Sequence, residues 1–125
     1  MKIRRALVAL LLPLALLAFA PAQTAEPVTI LAAGDIAYCA RTGDEATAAI
    51  LDANPEGTVL ALGDLAYEDG STQQFADCYG PSWGRHKART RPVPGNHDYH
   101  SSGAAPYFAY FGAAAGEPGK GYYSY

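Results

Sequence analysis

Apolar and polar positions alternate along the chain in a strand–helix–strand rhythm. Residues 6–20 form a nearly unbroken apolar run behind Lys2, Arg4 and Arg5. Val28-Thr29-Ile30-Leu31-Ala32-Ala33 is a short, partly β-branched run that ends at Gly34-Asp35 and predicts a buried strand. Over 43–53 the period changes to helical, with Ala46, Ala49, Ile50 and Ala53 as the expected inner face and Asp44 and Glu45 in the first turn. Asn54-Pro55-Glu56-Gly57 stops that helix, and Thr58–Leu62 is a second buried strand ending at Gly63-Asp64. Strand, helix and strand at this length predict parallel neighbours joined by a right-handed crossover.

Ser71-Thr72-Gln73-Gln74 is a capping-box pattern opening a short helix to about Cys78, and residues 79–84 read as loop. Pro92 and Pro94 bias 90–94 toward an extended segment, which ends at Gly95-Asn96-His97-Asp98. Pro106 opens a short aromatic helix over 107–111, whose rings, like Trp83, read as core. Gly119 to Gly121 is a turn, and Tyr122–Tyr125 reads as the start of a further strand. The chain stops inside that expected strand, so it reads as the N-terminal part of a longer protein.

The N-terminal pattern changes the compartment. A basic start, an apolar core broken by Pro13 and the small residues around Ala20-Pro21-Ala22 predict a secretory signal peptide over 1–22, then a short linker over 23–27. Export predicts a secreted or periplasmic protein without a membrane anchor after cleavage. It also makes a Cys39–Cys78 disulfide the expected state of the two cysteines. Beyond residue 22 the chain carries 6 Lys and Arg against 12 Asp and Glu, which argues against a nucleic-acid surface.

Candidate chemistry lies at the three strand ends. Gly34-Asp35, Gly63-Asp64 and Gly95-Asn96-His97 would line one edge of an open α/β sheet, where ligands bind. Two carboxylates, an amide oxygen and an imidazole suit a cation such as Mn, Fe or Zn, and a cation resolves the repulsion between the carboxylates. Arg85, Lys87, Arg89 and Arg91 lead into the third segment and read as a solvated loop, with phosphate steering as the alternative. His100 reads either as an ordinary hydrogen-bonded loop histidine or as a residue that contacts substrate or orients a ligand.

In order and spacing, Gly34-Asp35, Gly63-Asp64-Leu65-Ala66-Tyr67 and Gly95-Asn96-His97-Asp98 resemble the first three motifs of calcineurin-like metallophosphoesterases. The Gly-Asp-x-x-Tyr form is similar to the purple acid phosphatase branch. The resemblance covers 28–125. It implies the N-terminal part of a catalytic domain with that family's α/β sandwich, two mixed sheets flanked by helices, here truncated on the C-terminal side.

It also implies a secreted acid phosphatase-like enzyme that hydrolyses phosphate monoesters with a metal-bound hydroxide. The implied cofactors are two metal ions, Fe with Fe, Zn or Mn. Asp35 would bind the first ion, Asp64 bridge both, Asn96 bind the second, Tyr67 ligate ferric iron, and His97 act on the substrate phosphate. Tyr38, the twin of Tyr67, remains the alternative phenol. Ala37 stands where the family usually has the third residue of Asp-x-His or Asp-x-Gly, and the later histidine motifs do not occur, so this chain alone is expected to be inactive. Two alternatives stand beside this expectation: a phosphodiesterase or nucleotidase on the same site, and a non-catalytic secreted binding module that keeps the fold.

Overall fold

The computed structural model describes residues 26–125. The expected signal peptide and most of the linker lie outside them. The chain forms an α/β fold with two small parallel sheets. Strands β1 (Ile30–Ala33), β3 (Thr58–Leu62) and β5 (Thr90–Val93) form the larger sheet in the order β1-β3-β5. Strands β2 (Ala37–Tyr38) and β4 (Ala66–Tyr67) form the smaller. Every pairing among them is parallel, so the mixed character expected of the sheets is not found among the described residues.

Helix α1 (Gly43–Asp52) crosses between β1 and β3, as the periodicity requires. Its inner face differs from the expected one. Asp44, Ala48 and Leu51 are buried, whereas Ala46, Ala49, Ile50 and Ala53 are exposed. Asp44, Thr47, Ala48 and Leu51 have the same i, i+3, i+4, i+7 spacing two residues earlier, and in an alanine-rich helix small side chains do not select between the two stripes. Leu51 and the Thr47 hydroxyl, which accepts a 2.8 Å bond from Trp83 Nε1, decide it.

The capping box at α2 (Thr72–Gln74) forms in both directions. Gln74 N donates to Ser71 Oγ at 3.3 Å, and Ser71 N to Gln74 Oε1 at 2.9 Å. The helical run widens into a π turn over Phe75–Tyr79. Two expectations fail here. Trp83–Arg89 is a 3-10 helix rather than a loop, and residues 121–125 form no strand. Tyr123 instead donates from its hydroxyl to the Pro92 carbonyl at 2.9 Å. Helix α3 (Ala105–Phe111) matches the expected aromatic helix.

One face of the larger sheet, with Val59 and Ala61, packs on Leu51, Phe75, Tyr79, Trp83, Tyr107, Phe108 and Phe111, which form the core as expected of the aromatics. The opposite face is open: Ile30 and Leu62 are 58% and 53% exposed. No helix among the described residues is long and apolar enough to cross a membrane.

The Cys39–Cys78 disulfide is formed, with Cα atoms 5.1 Å apart across a sequence separation of 39. It ties the turn after β2 to the helical run after β4.

Candidate metal centre

Three adjacent parallel strands end on the same edge, and each continues into a turn that carries a polar residue. Asp35 follows β1, Asp64 follows the central strand β3, and Asn96 and His97 follow β5. Both aspartates adopt left-handed backbone, with φ 54° at Asp35 and 52° at Asp64. Asp is among the few side-chain-bearing residues that tolerate this region. The two turns then run side by side: Asp35 N donates to the Gly63 carbonyl at 3.1 Å and Ile36 N to the Asp64 carbonyl at 3.0 Å.

This pairing brings two carboxylates to one phenol. The Tyr67 hydroxyl donates to Asp35 Oδ1 and lies 3.2 Å from Asp64 Oδ2. The hydrogen bond to Asp35 is the main reason the Tyr67 phenol titrates far above its ordinary value, with burial and the Asp64 charge adding to it. Tyr38 turns elsewhere, bonding Glu68 Oε1 at 3.0 Å. The geometry thus separates the twin tyrosines: Tyr67 reaches both carboxylates and Tyr38 neither.

The third turn docks onto the second. His97 N donates to Asp64 Oδ1 at 2.8 Å, so Asp64 is engaged on both oxygens, by Tyr67 and by His97. Gly95 makes this approach possible, because a Cβ there would collide with the Asp64 backbone nitrogen and Oδ1. The His97 ring stands 4.5 Å from the Tyr67 ring, and its Nδ1 lies 2.6 Å from the Glu68 carbonyl. A carbonyl only accepts, so Nδ1 carries the hydrogen and Nε2 is the nitrogen left for a ligand.

Asn96 is exposed beside this cluster, and its side chain makes no hydrogen bond among the described residues. His100 packs 4.6 Å from the His97 ring and reaches the same Glu68 carbonyl at 3.2 Å and Asp69 at 3.3 Å. In the basic segment, Arg85 and Arg89 turn to α1. Arg85 pairs with Glu45 at 3.1 Å and Asp52 at 2.9 Å. Arg89 bonds the Leu51, Asn54 and Gly57 carbonyls, where α1 ends. Two of the four cations are therefore partners of α1 rather than groups free to steer phosphate, and Arg85 stays solvent-exposed in its ion pairs. His86 also joins Asp52, at 2.8 Å.

An open cavity of about 310 Å³ adjoins Asp35, lined in part by Tyr38, Arg41, Thr47 and Trp83.

The donor chemistry fits a hard cation: two carboxylates and a phenol are oxygen ligands converging on one point. Among the described residues no group of three or more His, Cys, Asp and Glu side chains is arranged to hold an ion; the third oxygen beside the two carboxylates is the Tyr67 hydroxyl. No protein-family model, curated protein or solved structure matches the chain, and the three motifs alone carry the resemblance.

One site residue escaped the sequence reading. Asp98 belongs to the Gly-Asn-His-Asp segment but had no role assigned to it. It is fully buried, and its position three residues after Gly95 was the available signal.

Proposed function

We propose that the protein is a secreted metal-dependent phosphoesterase that hydrolyses phosphate monoesters in the manner of acid phosphatases. Its fold would be a metallophosphoesterase sandwich, whose second sheet would cover the open face that carries Ile30 and Leu62. The observation that carries this reading is the convergence of Asp35 and Asp64 on the Tyr67 hydroxyl, with His97 docked on Asp64 from the next strand end.

Asp35, Asp64 and Tyr67 would hold one cation, and Asp64 with Asn96 a second. When bound, such ions neutralise phosphate charge and lower the pKa of water. The chain's own part is to orient the ester and manage the proton. His97, held through Nδ1–H by the Glu68 carbonyl, would turn Nε2 toward the leaving oxygen, and as the imidazolium, with both nitrogens protonated, it would supply a hydrogen bond or proton there from Nε2–H. To ligate, Tyr67 would release its proton to solvent water, which would free the Asp35 and Asp64 oxygens that its hydroxyl meets to bind the same cation. Export to an oxidising compartment is supported by the paired cysteines.

The test is hydrolysis of nitrophenyl phosphate and bis-nitrophenyl phosphate by the full-length protein supplied with Fe, Zn or Mn. Faster turnover of the monoester is the expected result. A preference for the diester would move the assignment to a phosphodiesterase or nucleotidase on the same residues. Turnover of neither would leave a binding module.

A further inference from the structure

Asp98 is a carboxylate with no exposed surface and no cation among its hydrogen-bond partners. Its oxygens accept backbone N–H groups from two different turns. Leu65 N, next to Asp64, donates at 3.2 Å to Oδ1 and 3.3 Å to Oδ2, and Gly95 N, next to Asn96, donates at 2.8 Å to Oδ2. Gly70 closes the remaining side: a Cβ there would lie 2.6 Å from the Asp98 Cα. Ser101 ties the same two segments from outside, its N and Oγ reaching the Asp69 carbonyl at 3.1 and 2.8 Å.

A buried carboxylate costs several kcal/mol unless its lone pairs are satisfied. Here backbone dipoles alone satisfy it. A surface loop that needed only a stable turn would be served as well by a neutral side chain. The residues it grips sit immediately beside Asp64 and Asn96, so its two bonds set the distance between the β3 and β5 turns.

We infer that Asp98 is a positioning residue for the centre, a clamp that holds the Asp64 turn and the Asn96–His97 turn in register. This inference rests on the proposed phosphoesterase reading for its functional half only, because the clamp itself is measurable without any substrate.

The experiment is Asp98→Asn in the full-length protein. The isostere keeps one accepting oxygen but turns an NH₂ group toward a backbone N–H. Amide hydrogen exchange at Leu65 and Gly95 should quicken at least tenfold, with exchange in α1 unchanged. In the enzyme assay kcat should fall about 10- to 100-fold, the usual effect of losing an outer partner of a metal ligand, with KM within twofold. A fold-wide defect would instead raise exchange in α1 as well, and that result overturns the clamp. Unchanged exchange at Leu65 and Gly95 overturns it too. Quickened exchange with unchanged kcat keeps the clamp and removes its catalytic meaning. If neither protein turns over phosphate esters, the exchange result still decides the clamp while the functional reading fails by itself. Should the variant not fold, wild-type protection decides: Leu65 and Gly95 amides exchanging as fast as those of an open loop would refute it.

Discussion

The turns Gly34–Tyr38 and Gly63–Tyr67 have nearly the same sequence and a left-handed aspartate in each, although only the second glycine, Gly63 with φ 91°, is itself at positive φ. Their surroundings differ. Asp35 follows an edge strand, is exposed, and receives one side-chain partner, Tyr67. Asp64 follows the central strand, is half-buried, and is met from the β1 side by the first turn and from the β5 side by His97. Local sequence sets the shape of such a turn; its place in the strand order sets how many neighbours its carboxylate has. A ligand shared between two sites belongs on the middle strand. The anchors differ as well. The first turn runs into a disulfide through Cys39, and the second is gripped by Asp98.

The sharpest way to break this comparison is to remove each charge in turn. Asn tolerates the left-handed region, so Asp35→Asn and Asp64→Asn change charge with little change in backbone preference. Asp64→Asn should lower kcat by more than the ~100-fold typical of an outer-shell loss, and should lower bound metal more than Asp35→Asn does. Equal metal content in wild type and Asp64→Asn, measured by elemental analysis, removes Asp64 from the bridging role.

Removing the disulfide tests the first turn's anchor. The Cys39→Ser, Cys78→Ser double variant should lose about 2–4 kcal/mol of stability in denaturant titrations. Exchange should rise first at Ile36 and Ala37, with Leu65 still protected by Asp98. Two reactive thiols in the native protein would exclude the bridge altogether.

The twin tyrosines give a smaller contrast. Tyr67→Phe should reduce turnover at least about tenfold, since Tyr67 meets both carboxylates, and Tyr38→Phe should leave it within twofold. The reverse order would make Tyr38 the metal-facing phenol.

The smallest effect concerns the helix behind the first turn. The hydrogen bond from Arg85, with the Arg85 and His86 charges adding to it, holds the Asp52 carboxyl below the usual carboxylate range. The folded state therefore binds its proton later than the unfolded chain, so the pair's contribution is present above about pH 4 and disappears as pH falls through the depressed value. Both side chains are exposed, which keeps the effect small. Melting curves of wild type and Arg85→Gln should differ at pH 6 and converge by pH 2; a constant offset would refute the linkage.

The three strand ends were legible in the sequence because apolar runs terminating at Gly-Asp or Gly-Asn are local signals. So were α1, the capping box at Ser71 and the aromatic core. The inner stripe of α1 was not, because alanines at two overlapping spacings carry equal hydrophobicity until Leu51 and Trp83 pack. The 3-10 helix at 83–89 was hidden since its support is non-local: Arg89 bonds carbonyls more than thirty residues earlier. The same holds for Asp98. An acidic residue in a Gly-rich turn reads as solvent-facing, and only the chain's path over it shows that it also accepts from Leu65 N of another turn.

The parallel pairing of β1, β3 and β5 has a kinetic consequence. Each donor of the centre lies just past a strand whose partner is distant in sequence, and the Leu65–Asp98 contact spans 33 residues. Loop-closure entropy must be met before such contacts reward it, so this topology folds slowly for its size. A half-folded chain that has paired only β1 with β3 contains both aspartates but neither His97 nor the clamp. The three oxygens proposed for the first ion, on Asp35, Asp64 and Tyr67, all precede β5, so a cation held by them would favour the early β1–β3 pairing, whereas His97 and the clamp arrive only with the last strand.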